Sequence, residues 1–161
     1  MYYLPRGNFK KDYFEGKKYE EMIKDFLLRR SVSVYTLEEE GFGTDKKHTF
    51  DGMFINKNTQ IFYYYEVKSR KPVNNKFHIK RYTILNLLEE LELNNIGYDK
   101  FFYFICNKMH SICGIVSLQN MLPYMNTANA LSNFWIDFSF DILTPIFKYN
   151  NKFQITETLI K

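Results

Sequence analysis

The chain has 161 residues, with 22 Lys and Arg against 18 Asp and Glu and a net charge of +4. That length builds one core and is short for two ordinary domains; the mildly basic balance permits a polyanionic partner without demanding one. Two Cys, no Cys/His zinc spacing and no long apolar run exclude a disulfide scaffold, a zinc finger and a membrane span, so we expect a soluble, intracellular protein.

Phe (16) and Tyr (13) are abundant and Ala occurs only at 128 and 130, while Lys, Asn and Ile are also favoured. The favoured residues share A/T-rich codons, which points to an A/T-rich genome of phage, viral or mobile-element type.

In chain order, residues 1–11 read as an arm or loop around Pro5 and Gly7. Tyr13 to Arg30 reads as a helix, because Tyr19, Met22, Ile23, Phe26 and Leu27 recur at i, i+3, i+4, i+7. Glu20 lies at the edge of that stripe, from where a carboxylate reaches toward a neighbouring sheet. Ser31 to Leu37 alternates as a first strand, and Glu38 to Glu40 with Gly41 and Gly43 read as a solvated strand end. Phe77 to Leu93 is predicted as a second helix with the core stripe Ile84, Leu87, Leu88 and Leu91. Its start carries Lys76, His78, Lys80 and Arg81, with Arg70 and Lys71 just before and Tyr82 just after, a cluster suited to phosphates. Lys100 to Cys106 is an unbroken apolar run, as a buried central strand requires, and Ile112 to Leu118 is the next strand. Cys106 and Cys113 flank a hairpin turn and read as two buried thiols. Pro123 and Asn126 to Asn133 break the pattern. The tail, Phe134 to Ile160, reads as short strands and turns, its Trp135 and Phe residues as core or dimer interface.

The chemistry is concentrated between Thr49 and Arg70. Two β-branched and aromatic arms flank a polar tip, Asn56 to Gln60, and read as a hairpin. Asp51 interrupts the first arm; Glu66 and Lys68 interrupt the second. Residues two apart in a strand share a face, so Glu66 and Lys68 are side by side and Val67 points away. With an even loop, Asp51 falls on that face, opposite Glu66 or one pair away. Charges on so apolar a hairpin need a partner or a metal.

Asp51 followed by Glu66-Val67-Lys68 resembles the PD-(D/E)XK, or restriction-endonuclease-like, nuclease superfamily. Phe50 stands where that name has its Pro. Gly16-Lys-Lys-Tyr19-Glu20 matches the Gly-x-x-aromatic-Glu context of the family's first core helix. The resemblance implies an α/β fold with the core αβββαβ, a central mixed sheet flanked by helices, over about 13–118, with a C-terminal elaboration over about 119–161 of one domain. It implies Asp51, Glu66, Lys68 and Glu20 as catalytic residues. Mg²⁺ or Mn²⁺ would be held by Asp51, Glu66 and the Val67 backbone C=O, with Glu20 as a further ligand. Arg70, Lys71, Lys76, Lys80, Arg81 and Tyr82 are then the expected nucleic-acid contacts. The implied activity is phosphodiester hydrolysis by a metal-dependent endonuclease, on DNA in preference to RNA, with a homodimer as the natural means of cutting both strands. His48, three residues before Asp51, raises the alternative of a cap-snatching-like RNA endonuclease. The competing function classes are a non-catalytic nucleic-acid-binding protein that keeps the fold and an unrelated α/β interaction protein.

Overall fold

The computed structural model describes residues 6–30, 32–36, 50–125 and 134–160. Helix α1 (Arg6–Leu28) is followed by strand β1 (Val32–Thr36) and the hairpin β2 (Gly52–Asn56) and β3 (Phe62–Arg70). The hairpin closes on Asn56, whose carbonyl accepts from Gln60 N–H at 2.8 Å and whose side-chain oxygen accepts from Asn58 N–H at 2.9 Å. Gln60 takes the left-handed conformation, φ 60°, that closes this tip. Next come β4 (Lys76–Lys80), α2 (Arg81–Leu93), β5 (Phe101–Asn107), β6 (Ile112–Ser117), α3 (Leu118–Met125), β7 (Trp135–Ser139), β8 (Thr144–Tyr149) and β9 (Ile155–Thr158).

Seven strands form one sheet in the order β1-β2-β3-β5-β6-β8-β9, and β4 pairs with β7 in a separate ribbon. Within the large sheet only β3 and β5 run parallel; the other neighbours are antiparallel. A parallel pair needs a long crossover, which the chain makes with β4 and α2. The alternation of the strands divides the core in two. Tyr65, Val67, Phe104, Cys106 and Cys113 pack with Tyr19, Met22, Ile23, Phe26 and Leu27 of α1 on one face. Tyr103, Ile105 and Val116 pack on the other with Ile84, Leu87 and Leu91 of α2, Met121 of α3, and Phe77, Ile79, Ile136 and Phe138 of the ribbon. The expected αβββαβ order is present, and β8 and β9 extend the same sheet. Cys106 and Cys113 face each other across β5 and β6 as buried free thiols, as the sequence led us to expect.

Three elements differ from expectation, one of them α3, which carries through Pro123 where the sequence suggested a break. Residues 1–11 were expected to be an arm, yet α1 already runs from Arg6; once the stripe beyond Tyr19 is anchored, extending a helix adds one hydrogen bond per residue fixed. The predicted helix over Phe77 to Leu93 is a strand over its first four residues. Asn74 and Asn75 both have positive φ, 53° and 59°, and Val73 and Lys76 exchange N–H···O bonds at 3.1 and 3.0 Å. That two-residue turn sends the chain straight back as β4. The segment then alternates, with Phe77 and Ile79 buried and Lys76, His78 and Lys80 outward, and α2 begins only at Arg81. The basic residues Lys76, His78 and Lys80 therefore line a strand rather than a helix start. Among the described residues no helix is long and apolar enough to cross a membrane.

Candidate active site

The site forms where β2 leaves β3. Their pairing runs from Ile55–Phe62 to Gly52–Tyr65 and stops. Asp51 N–H still donates to Tyr65 O at 2.9 Å, which sets Asp51 opposite Glu66. Among the described residues, strand β3 continues to Arg70 with only β5 beside it. Val67 N–H, left without a strand partner, donates to Asp51 Oδ2 at 2.7 Å. In an extended chain the N–H and C=O of one residue point to the same edge, so the Val67 carbonyl faces the vacated side too. Gly52 lets β2 lie close against β1 and the Tyr65 ring beside Asp51. A Cβ there would lie 2.6 Å from Tyr35 O and 2.8 Å from the Tyr65 hydroxyl, so no larger residue fits without shifting β1 or Tyr65.

Glu20 enters this notch from α1 and hydrogen-bonds the Asp51 side chain. Burial, then the negative charge of Asp51 and the hydrogen bond to it, push the Glu20 carboxyl up to about 8. Lys17, 3.5 Å from Glu20 Oε2, opposes that rise only in part. Asp51 is enclosed by neighbouring atoms on nearly every side, although part of its surface remains open to solvent. Burial and the charge of Glu66 push it up to about 6, against the hydrogen bonds from Glu20 and Val67. At neutral pH the pair thus shares a proton, held by Glu20 and donated to the Asp51 carboxylate.

Glu66 is buried, and burial raises its carboxyl above the ordinary range against the pull of Lys68 and Arg70. Lys68 Nζ lies 3.4 Å from Glu66 Oε1, and its side chain keeps 24% of its surface exposed. Arg70 is tied down rather than reaching outward. Its Nε donates to His78 O at 3.0 Å and its Nη1 to Ser69 O at 2.9 Å, while its charge faces Glu66. Tyr103 on β5 is the register partner of Glu66. Its hydroxyl and Glu66 Oε2 are both buried without a hydrogen-bond partner. Burial, then the charges of Glu66 and Asp51, hold the Tyr103 phenol well above its usual range. Most buried polar atoms are paired, so two orphans on neighbouring residues mark a place prepared for something else.

Asp51, Glu20, Glu66 and Lys68 are therefore brought together, with Val67 supplying backbone between them. Lys71, Lys76 and Tyr82 are exposed, Lys80 and Arg81 half-buried, all around the ribbon and the start of α2. His48 and Glu38 to Glu40 lie outside the described residues. Tyr103 was missed, because the sequence around it is apolar on both faces; a tyrosine hydroxyl inside such a run is the one signal that marks it.

The donor set suits a hard divalent cation. Among the described residues no group of three or more His, Cys, Asp or Glu forms a ready cage. Two carboxylates and one peptide carbonyl match Mg²⁺ instead, which keeps several waters and binds through one or two carboxylates plus substrate phosphate. The unpartnered Glu66 Oε2 is a lone-pair donor of that kind.

The fold, a mixed sheet flanked by helices, is restriction-endonuclease-like. Among solved structures the chain is similar to Hjc of Archaeoglobus fulgidus, a Holliday junction resolvase from an archaeal hyperthermophile, with 10% identity and a TM-score of 0.55 over 82% of this chain and 92% of that one. A nuclease from a fusselovirus aligns over 90% of both chains at 8% identity and a TM-score of 0.49. No protein-family model and no curated protein matches the sequence.

Proposed function

We propose that the protein is a metal-dependent nuclease that hydrolyses phosphodiester bonds, with DNA as its substrate and the whole chain as one catalytic domain. The observation that carries this reading is the convergence of Asp51, Glu66, Glu20 and Lys68 at the edge that β2 vacates. Asp51, Glu66 and the Val67 carbonyl would hold Mg²⁺ or Mn²⁺, and Glu20 would join them once its proton is displaced. When bound, such a cation lowers the pKa of water and neutralises charge growing on the phosphate.

The chain's own residues do the rest. Lys68 is fixed beside Glu66 and partly open to solvent, so its ammonium can orient the attacking water and face the developing negative charge of the pentavalent phosphate. Arg70, held by two backbone carbonyls, adds to Lys68 in opposing the rise that burial imposes on the Glu66 carboxyl. The Tyr103 hydroxyl, one strand over and without a hydrogen-bond partner among the described residues, would be free to donate to a group bound in the cluster. Incubation with plasmid, single-stranded DNA and RNA, each with Mg²⁺, Mn²⁺ or EDTA, tests the proposal. Cleavage of DNA that EDTA abolishes is expected; intact substrates under every metal condition would refute it.

A further inference from the structure

The β4–β7 ribbon carries a feature that the hydrolytic site does not use. Its outward face presents Lys76, His78 and Lys80 from β4 against Ser139, Asp137 and Trp135 from β7. Trp135 packs on His78 with ring centroids 4.5 Å apart, Phe134 on Trp135 at 5.0 Å, and Tyr82 on Phe134 at 6.4 Å. Four rings thus form a continuous row. Phe134 is 48% exposed and Tyr82 53%, a large apolar area for side chains that the core has not taken up. The Lys80 ammonium sits at the centre of the row, 5.8 Å from the Tyr82 ring, 5.6 Å from Phe134 and 5.9 Å from Trp135. Arg81 follows it, and Asp137 is the sole carboxylate on this face of the ribbon.

Resting on the nuclease reading above, we propose that this row is a stacking platform for unpaired nucleobases, so that the preferred substrate carries a single-stranded segment beside the bond that is cut. Two observations select this occupant. Exposed rings give π-faces on which bases stack without regard to sequence, and a central ammonium with Arg81 supplies the charge for the phosphates that come with them. The bases of a duplex are already stacked on each other, so the rings recognise only nucleotides that have left the stack.

The ribbon is also tied to the hydrolytic strand. Arg70, on the face of Glu66 and Lys68, donates to the carbonyl of His78 at 3.0 Å, so platform and site hold a fixed relation. Arg70 lies four residues past Glu66, about 13 Å along β3. A single strand of a few nucleotides spans that stretch of β3.

The test uses the full chain in EDTA, so that no bond is cut. A labelled single strand, the same strand with abasic sugars throughout, and a blunt duplex are titrated by fluorescence anisotropy. Trp135 is the only tryptophan of the chain and reports stacking through its own emission. We expect the ordinary single strand to bind roughly tenfold or more tighter than the abasic strand and to quench Trp135. Phe134→Ala and Tyr82→Ala, both at exposed rings, should each weaken single-strand binding by roughly tenfold and change duplex affinity less than twofold. Equal affinity for the ordinary and abasic strands would overturn the platform and leave the nuclease reading standing, provided the wild type still cuts DNA in Mg²⁺. If the two substitutions instead convert a dimer to a monomer in sedimentation and leave the preference for bases intact, the row is an interface between copies and the proposal is wrong. Failure of the wild type to bind or cut any nucleic acid would remove both readings.

Discussion

Two clusters of buried polar groups lie at different places in the same sheet, and they are built differently. At the end of β5, Tyr149 donates to Asn107 O at 3.0 Å, and Asn107 Oδ1 accepts from Met109 and His110 N–H at 2.9 and 3.1 Å. Every one of those groups has a partner, and the cluster fixes the β5–β6 turn against the end of β8. Around β3 and β5, Glu66 Oε2 and the Tyr103 hydroxyl have none among the described residues, and Glu20 and Asp51 at the vacated edge keep a proton that exposed carboxyls would have lost. The first cluster is complete as it stands. The second leaves two buried polar atoms without a partner among the described residues, and such local inconsistency is what functional sites carry. Substitutions in the first should lower stability and spare chemistry; substitutions in the second should do the reverse.

The largest difference is expected from Lys68→Ala. Cleavage should fall by a factor on the order of 10² or more, because a charge facing the transition state is lost. Nucleic-acid affinity should change only a few-fold and the melting temperature little. A destabilised mutant that still cleaves would reduce Lys68 to an ion-pair partner of Glu66. Tyr149→Phe is the matching change in the other cluster. It removes one of the two donors to Asn107 O, the other being Ser111 N–H, together with the hydrogen bond between Tyr149 and Tyr19, and should cost about 1–2 kcal/mol of stability, with the cleavage rate per folded molecule kept; a lost rate would erase the distinction between the clusters.

A smaller effect separates them by pH. Glu20 and Asp51 have raised pKa values in the folded chain, so between about pH 4 and 8 the folded state binds more protons than the unfolded one. The stability they contribute is complete below the ordinary carboxylate range and is lost as pH rises through about 6 and about 8. Melting in EDTA should therefore show the wild type losing ground to Glu20→Gln, which keeps an uncharged donor at every pH. The gap should reach on the order of 1–2 kcal/mol by pH 8.5. Parallel curves for the two proteins from pH 5 to 8.5 would mean that Glu20 and Asp51 share no proton. The smallest effect belongs to Tyr103→Phe, which removes an orphaned hydroxyl. Stability in EDTA should stay level or rise by up to about 1 kcal/mol, and a clear loss would show that the hydroxyl is paired.

Much of the site was legible before the fold. The period of two in Glu66-Val67-Lys68 set Glu66 and Lys68 on one face, and an even loop would set Asp51 there too, opposite Glu66 or one pair away; the observed pairing of Ile55 with Phe62 makes it opposite. The helical period set Glu20 at the edge of its stripe. These are local regularities, which sequence patterns carry well. What escaped depends on contacts distant in sequence. Lys76 to Lys80 looked helical because Phe77 runs into the stripe of Ile84 and Leu87. Its strand state is fixed by the Asn74-Asn75 turn and by pairing with Trp135 to Ser139, more than fifty residues away. The same distant pairing assembles His78, Lys80 and Trp135, so no local pattern announces the aromatic row. Arg70 looked like a phosphate contact, and only the return of β4 beneath it shows what its guanidinium grips.

The central claim is that the incomplete cluster is a divalent-metal site. Thermal melts of the wild type and of Asp51→Asn, with and without millimolar Mg²⁺ or Mn²⁺ at pH 7.5, test it without any nucleic acid present. A ligand that binds only the folded state raises the melting temperature by mass action. The account predicts a clear metal-dependent rise in the wild type and a much smaller one in Asp51→Asn, and an equal rise in both proteins, or none in the wild type, would contradict it.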